Sequence, residues 1–480
     1  MSRRRVDPSQ AGFSVVLAVF SILILLTLGI AMVSMVVEDS DSSVLHVQEN
    51  QAFYAAHAGV EYAIVKLSTN WAWGGLPSPG KNVGAGYYWI APPDGVDETG
   101  AALPANTKRI ISTGVVGTST RQIQVQLSGG TISTYAGTGT AGYTGDLGAA
   151  TAARIAHPEG ITVAANGDVY YADPDNNVIR KVTAATGIIT TVAGSGGNGS
   201  SGDGGLAILA KFKNAEGVFV VANGDLYLAD TGNHEIRKVT ALTGIVTLVV
   251  GSTSPGYSGD GGAAAAARLR LPAAIVVAAN GDMYIADTGN DAVRKVTAAT
   301  GIATTYAGTG TTGYTGDGGA ATSARLSGPQ GLVLAANGDL YIADTGNNVI
   351  RRVTAATGVI TTFAGTGTAG FLGDGGVATS ARLNAPESVS ISASGELYIA
   401  DAGNNRIRRV STGGTITTVA GTGTAGAAGD GGLPTAAQLN SPHGIAVSTS
   451  GTYYISDRVN NEIRRVTGVF AVVAWVETRT

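Results

Sequence analysis

The sequence predicts a mainly β chain: a six-bladed β-propeller preceded by a long N-terminal α-helix and a small β head. Three observations carry that expectation. A decapeptide beginning Asp173-Pro-Asp-Asn-Asn-Val-Ile-Arg180-Lys-Val returns at Asp230, Asp287, Asp344, Asp401 and Asp457, spaced by 57 residues four times and then by 56. A second marker, Gly-Asp in a glycine-rich loop, keeps the same beat at Asp146, Asp203, Asp260, Asp317, Asp374 and Asp430. Ahead of both, residues 13–37 contain no charged side chain. Tandem units of this period build propellers or solenoids, and an uncharged run of that length can cross a bilayer as a helix.

The 480 residues allow two or more domains and an ample core. Thirty basic against thirty-four acidic side chains, with 13% charged overall, give no large field, so phosphate-backbone binding and a nucleic-acid partner are not expected. The chain has no cysteine, which removes disulfides, thiol nucleophiles and thiolate-held zinc, and is compatible with an extracytoplasmic protein held together by its sheets.

Taken in order, Arg3-Arg4-Arg5 precedes the apolar run and would keep the start of the chain in the cytoplasm. A cleavable secretory signal is the competitor, but this run is too long and no Ala-x-Ala site follows it. From Glu38 to Leu67 there is no proline, and Phe53, Ala56, Val60, Ile64 and Leu67 recur at helical steps. One helix is therefore expected over residues 13–68, spanning the membrane over 13–37. Residues 69–128 start irregularly and then offer two strand-like runs, one from Arg109 and one from Arg121, which suit a small β head.

Each repeat of the 129–467 region divides into four β-like runs. In the fourth copy these begin at Gly331, Leu340, Val349 and Val359, separated by Asn337-Gly338-Asp339, by Asp344-Thr-Gly-Asn-Asn and by Thr357-Gly358. Such junctions between β-branched and aromatic runs are hairpin signals, and four antiparallel strands make a propeller blade. Fourth-strand runs number seven for six blades. Ile132-Ser-Thr-Tyr-Ala136 carries the signature of the others, so the segment 131–136 is assigned to close the sixth blade beside Glu462–Val466. The segment 468–480 is then free to return to the β head.

Two family resemblances rest on these residues. The Gly-Tyr-Thr-Gly-Asp-Gly-Gly loop, the Pro-x-Gly-Ile entry and Tyr-Ile-Ala-Asp-Thr-Gly-Asn-Asn resemble bacterial NHL repeats over roughly two thirds of the chain. Gly12-Phe13 ahead of the apolar helix resembles a type IV prepilin cleavage site, and Gln51-Ala-Phe-Tyr-Ala-Ala-His-Ala-Gly-Val-Glu-Tyr-Ala resembles the N-terminal segment of PilX-like minor pilins. The resemblance implies a leader over residues 1–12, cleavage after Gly12 and a new N-terminus at Phe13. Leu17 stands where many pilins have a glutamate. The expected fold is thus an NHL-type propeller on a transmembrane, pilin-like helix with a small β head.

Several residue sets are candidates for function. Asp173/Arg180 recurs as Asp230/Arg237, Asp287/Arg294, Asp344/Arg351, Asp401/Arg408 and Asp457/Arg464. Invariant arginine suits a planar carboxylate partner, and six identical copies argue for a structural clamp over six active sites. The Gly-Asp loops offer one carboxylate each, which suits a turn better than calcium. Tyr143, Tyr257, Tyr314 and Phe371 lie three residues ahead of the loop aspartates, either as a glycan or peptide platform or as plugs beneath the loops. At the start of each inner strand the copies differ: Glu159, Glu216, Ala273, Gln330, Glu387 and His443. One histidine with three glutamates is a conceivable metal site, though a solvated channel rim is the plainer reading, and neither metal nor cofactor is expected.

These expectations describe a cell-surface, pilin-like structural or adhesion protein, anchored in the inner membrane and exported, displaying its propeller for a protein or glycan ligand and meeting other pilin-like subunits of a filament or pseudopilus. No catalytic activity is expected. The alternatives are an extracytoplasmic metal-dependent lyase or hydrolase and a solitary membrane-anchored receptor.

Overall fold

The computed structural model describes residues 50–60, 62–63, 75–83, 86–91, 107–116, 119–128, 130–468 and 471–479. The chain divides into two compact units, residues 131–467 on the one hand and residues 1–130 with 468–480 on the other.

The larger unit is a six-bladed propeller. Its six sheets each hold four antiparallel strands in sequence order, except the last, where Pro442–Val447, Tyr453–Asp457 and Glu462–Thr467 are completed by Thr131–Ala136. That strand comes from the other end of the unit, so the last blade, like the others, has its full four strands. The first strands of neighbouring blades lie against one another, including Pro442–Val447 against Ile161–Val163, and the ring closes around them. Each blade buries Ile, Val, Leu and Ala against the next, as where Phe212, Leu226 and Leu228 meet Ala172 and Ile179.

The decapeptide does two jobs at each seam. Its fifth residue sits in the left-handed region (Asn177 φ 53°, Asn348 φ 55°, Asn461 φ 54°), a conformation that asparagine tolerates better than most residues. From there the side chain accepts a backbone N–H of the next blade: Asn177 Oδ1 from Asn214 at 2.9 Å, Asn348 Oδ1 from Ala385 at 2.9 Å and, across the closing seam, Asn461 Oδ1 from His157 at 3.0 Å.

The second job belongs to the arginine. Just before it the register shifts in the pairing of the third and fourth strands of every blade, the extra residue lying on the fourth strand. The six guanidinium-bearing side chains are fully buried. Arg351 lies between Asp317 of the Gly-Asp loop at 2.6 Å and Asp344 at 3.4 Å. Arg408 repeats this with Asp374 at 2.6 Å and Asp401 at 3.2 Å. The loop aspartate then ties the outer strand, as Thr191 N donates to Asp146 Oδ2 at 3.2 Å and Thr134 N to Asp430 Oδ2 at 2.8 Å. Arg351 and Asp344 are both fully buried, and breaking such a pair by removing one partner costs about 3–5 kcal/mol. The clamp has three members, and its shortest contact joins residues 34 positions apart.

In the smaller unit, Leu76–Val83, Gly86–Ile90, Thr107–Val116 and Ser119–Ser128 form an antiparallel sheet, to which Ala471–Arg479 adds a fifth strand beside Ser119–Ser128. A helix over 50–60 and 62–63 lies on it and buries Ala55, Ala56, Val60 and Ala63 against Tyr88, Ile90, Ile110 and Ile123. The approach is close: a Cβ on Gly59 would lie 1.9 Å from Ser112 Oγ, and one on Gly114 would lie 2.1 Å from the carbonyl oxygen of Ala52. Small residues in the Ala-Phe-x-Ala-Ala-x-Ala-Gly stretch are what permit it.

Of the rod expected over 13–68, residues 50–60 and 62–63 are described, and they are helical. The leader, Gly12, Phe13 and the apolar run 13–37 lie outside the described residues. Among the described residues no helix is long and apolar enough to cross a membrane.

Candidate functional site

The inner strands approach closely at the mouth of the channel, where each carries a small residue: Gly160, Gly217, Ala274, Gly331, Ser388 or Gly444. Gly160 N donates to Glu216 O of the next blade at 2.9 Å, and a Cβ on Gly444 would stand 2.2 Å from Glu159 O. That crowding gathers the residues just ahead of them, Glu159, Glu216, Ala273, Gln330, Glu387 and His443, into a shared rim. The cavity beneath has a volume of about 170 Å³ and is lined from all six inner strands, with Glu216, Gln330, Glu387 and His443 at its edge.

The structure brings Glu159, Glu216 and Glu387 close enough to feel one another's charge. Burial first, and then the charges of Glu159 and Glu387, push the Glu216 carboxyl up to about 8. Burial likewise raises Glu387, with Glu159 adding to the rise and His443 opposing it. His443 Nε2 stands 3.9 Å from Glu387 Oε2, and Asn214 Nδ2 donates to Glu216 Oε1 at 2.6 Å. Glu159, only 5% exposed, accepts from Arg458 Nε at 2.8 Å through Oε1. Three rim acceptors are buried without a hydrogen-bond partner: Glu159 Oε2, Glu387 Oε2 and Gln330 Oε1. Orphans of this kind are uncommon in folded proteins and call for an explanation. Among the described residues, no three His, Asp or Glu side chains converge in a metal-holding group.

Arg458 was not singled out from the sequence. It follows the repeat's aspartate, where the other copies have Pro174, Thr231, Thr288, Thr345 and Ala402. The threonines donate to the next blade's proline carbonyl, Thr288 Oγ1 to Pro329 O at 2.6 Å for instance. Arg458 instead reaches over the closing seam to a carboxylate of the rim. The signal available was that one large cation among five small residues.

The other candidates lie elsewhere. Asp230, Asp287, Asp344, Asp401 and Asp457 are buried beside Arg237, Arg294, Arg351, Arg408 and Arg464, and burial raises each carboxyl to about 6. Asp173 rises to about 7, chiefly by burial, and its Oδ2 has no partner although Arg180 is near. Tyr143, Tyr257, Tyr314 and Phe371 are each about two-fifths exposed. They cap the clamps, with Arg180, Arg294, Arg351 and Arg408 lying 4.8–5.4 Å from their ring centres. The three tyrosine hydroxyls bond Thr191, Thr305 and Thr362. None of these rings lines the channel cavity.

Comparison with known proteins agrees with this fold. The family model of the teneurin NHL domain matches residues 130–201 and 365–411, and the NHL repeat model matches 326–352 and 439–465. The protein SUPPRESSOR OF QUENCHING 1, chloroplastic, of Arabidopsis thaliana is 29% identical over 266 residues, covering 53% of this chain and 25% of that protein. Human Teneurin-1 is 31% identical over 277 residues, covering 50% of this chain and 10% of that protein. The chain thus spans a quarter or less of the length of these two relatives. Among solved structures, an auxiliary nutrient binding protein from Bacteroides thetaiotaomicron superposes with a TM-score of 0.53 at 16% identity, over 80% of this chain and 95% of the other.

One expectation is corrected. Solved structures matched to this chain also include a streptogramin B lyase (TM-score 0.40, 17% identity, 65% of this chain and 94% of the other) and a gluconolactonase from Xanthomonas campestris (0.44, 14%, 82% and 97%). The exclusion of catalysis does not stand, since one fold hosts both binding and enzymatic sites.

Proposed function

We propose that the propeller is a recognition module whose ligand, a protein or a glycan, docks at the channel mouth, and that the chain displays it outside the cytoplasm on a pilin-like, membrane-anchored N-terminus. One observation carries the reading: seams and clamps repeat six times almost unchanged, while the side chains that edge the cavity differ from blade to blade, Glu216, Gln330, Glu387 and His443 among them. The solved nutrient binding protein is an instance of the same fold in a binding role. The partners of the N-terminus would be the membrane and pilin-like subunits of a filament or pseudopilus. Screening the full-length chain on glycan and peptide arrays tests the recognition role. A ligand retained by the Tyr257→Ser variant and lost by the Glu387→Gln/His443→Ala variant supports the rim; a ligand indifferent to both rim substitutions removes it. Mass spectrometry of the native N-terminus tests the anchor, with Phe13 as the expected first residue.

A second reading has an observation of its own. A carboxyl raised to about 8 beside two other carboxyls is an arrangement that supports general acid–base chemistry. Turnover of a screened substrate that disappears in Glu216→Gln would favour it.

A further inference from the structure

We propose that the seam between the second and third blades holds an anion site, in which Lys213, His234 and Arg270 receive a phosphate or sulfate group. The repeat makes this seam stand out. Where Lys213 and Arg270 lie, the other blades have Ala156, Ser327, Asn384 and Asn440, and where His234 lies they have four asparagines and Asp291. The backbone at both cationic positions is fixed. Lys213 N donates to the buried Asp230 at 2.8 Å and Arg270 N to the buried Asp287 at 2.7 Å. Their carbonyls accept from Gly232 and Gly289, each at 2.8 Å. The two stems cross those glycines so closely that a Cβ on either would stand 2.7 Å from the Cγ of Lys213 or Arg270. His234 reaches over the seam from the second blade, its Nδ1 accepting Leu271 N–H at 3.1 Å. That bond leaves the ring proton on Nε2, which becomes a neutral donor.

Both cations are exposed, and among the described residues neither has an ion-pair partner. The strand lysines of the same two blades differ in this: Lys238 pairs with Asp225 at 2.7 Å and Lys295 with Asp282 at 2.8 Å. The acids nearest in sequence are engaged elsewhere. Glu216 lines the channel cavity and accepts from Asn214, and Glu235 accepts from Ser200 at 2.9 Å. Burial, and then the charges of Lys213 and Arg270, hold the His234 imidazole below its ordinary value, so the three basic groups share one neighbourhood. An anion relieves such a pair of uncompensated like charges. A tetrahedral oxyanion has acceptors enough for an ammonium, a guanidinium fork and an imidazole N–H at once. None of the three side chains lines the channel cavity, so the site is separate from the rim.

Phosphorus NMR of inorganic phosphate mixed with the full-length chain, at fixed ionic strength near neutral pH, tests this. The phosphate line should broaden with the bound fraction; sulfate should reverse the broadening and equivalent chloride should not. Lys213→Ala and Arg270→Ser install what blades one and four already hold at that place. Each should weaken phosphate binding about tenfold, because each removes a charge-assisted contact. His234→Asn, the residue of four other seams, removes only a neutral donor and should cost about threefold. Arg325→Ala removes an exposed cation ahead of the fourth blade and should leave binding unchanged. Since the three site variants copy residues that the repeat uses elsewhere, weaker binding at an unchanged thermal midpoint reads the site and not the fold. Phosphate that does not bind, that equivalent chloride displaces, or that Arg325→Ala weakens as much as Arg270→Ser overturns the site. Sulfate that fails to compete, with binding still lost in Lys213→Ala, confines the site to phosphate.

Discussion

A single rim residue shows how position converts an ordinary side chain into a specialised one. Glu216 is chemically the same as any surface glutamate, yet the close approach of the inner strands at Gly160 and Gly217 places it against Glu159 and Glu387. Its carboxyl rises from 4.5 to about 8, burial being the first cause. A carboxyl whose folded value exceeds its unfolded one binds protons more tightly when folded. Its contribution to stability is therefore fully present below about pH 4.5 and is lost as pH climbs through 8. Denaturant unfolding of wild type and Glu216→Gln should diverge over that window, the variant gaining on wild type by up to about 1.4 kcal/mol for each unit of pH. Parallel pH profiles for the two proteins would show that Glu216 is not under that pressure.

At the scale of the strand, the closing segment Thr131–Ala136 holds the ring with little length. Its pairing with Glu462–Thr467 completes blade six, and Thr134 N donates to Asp430, which in turn grips Arg464. Thr134→Pro removes that donor and a place in the ladder, and should destabilise the propeller by about 3 kcal/mol or more, whereas Thr134→Ser should stay near wild type. Chemical denaturation followed by tyrosine fluorescence reads the difference, and equal midpoints for the two variants would contradict the role given to this strand. The strand was legible because Thr-Tyr-Ala-Gly repeats the outer-strand signature and leads into the same loop. Blade hairpins were legible for the same reason, since their turn residues recur at fixed places. The divergent rim positions stood out against an invariant background. Side-chain pairings between distant residues were not legible. The invariant arginine pointed to a carboxylate, but Arg351 reaches the loop aspartate Asp317, 34 positions away, as well as the aspartate of its own repeat, and no local pattern announces that second partner. Arg458 meets Glu159 only because the first and last blades adjoin, a contact between residues nearly three hundred positions apart.

At the scale of the whole chain, the propeller is written into the sequence between two strands of another sheet. Ser119–Ser128 and Ala471–Arg479 pair with each other, and the 131–467 region leaves and returns between them. The two ends of that region are neighbours, Thr131 standing opposite Thr467 in the ladder with their hydroxyls 3.3 Å apart. Everything needed to close the ring lies inside those limits: the borrowed fourth strand, the Asn461 contact to His157 and the Arg464 clamp. Residues 131–467 expressed alone should therefore fold as one cooperative unit, and calorimetry should place their transition where the full chain shows its larger one. A fragment starting at residue 137 lacks the closing strand, leaves Glu462–Thr467 as an exposed edge and should aggregate on refolding. If the longer fragment melted without cooperativity while the full chain did not, the ring would depend on residues beyond its own closing strand, and the propeller could not be the self-contained insertion that its strand pairing describes.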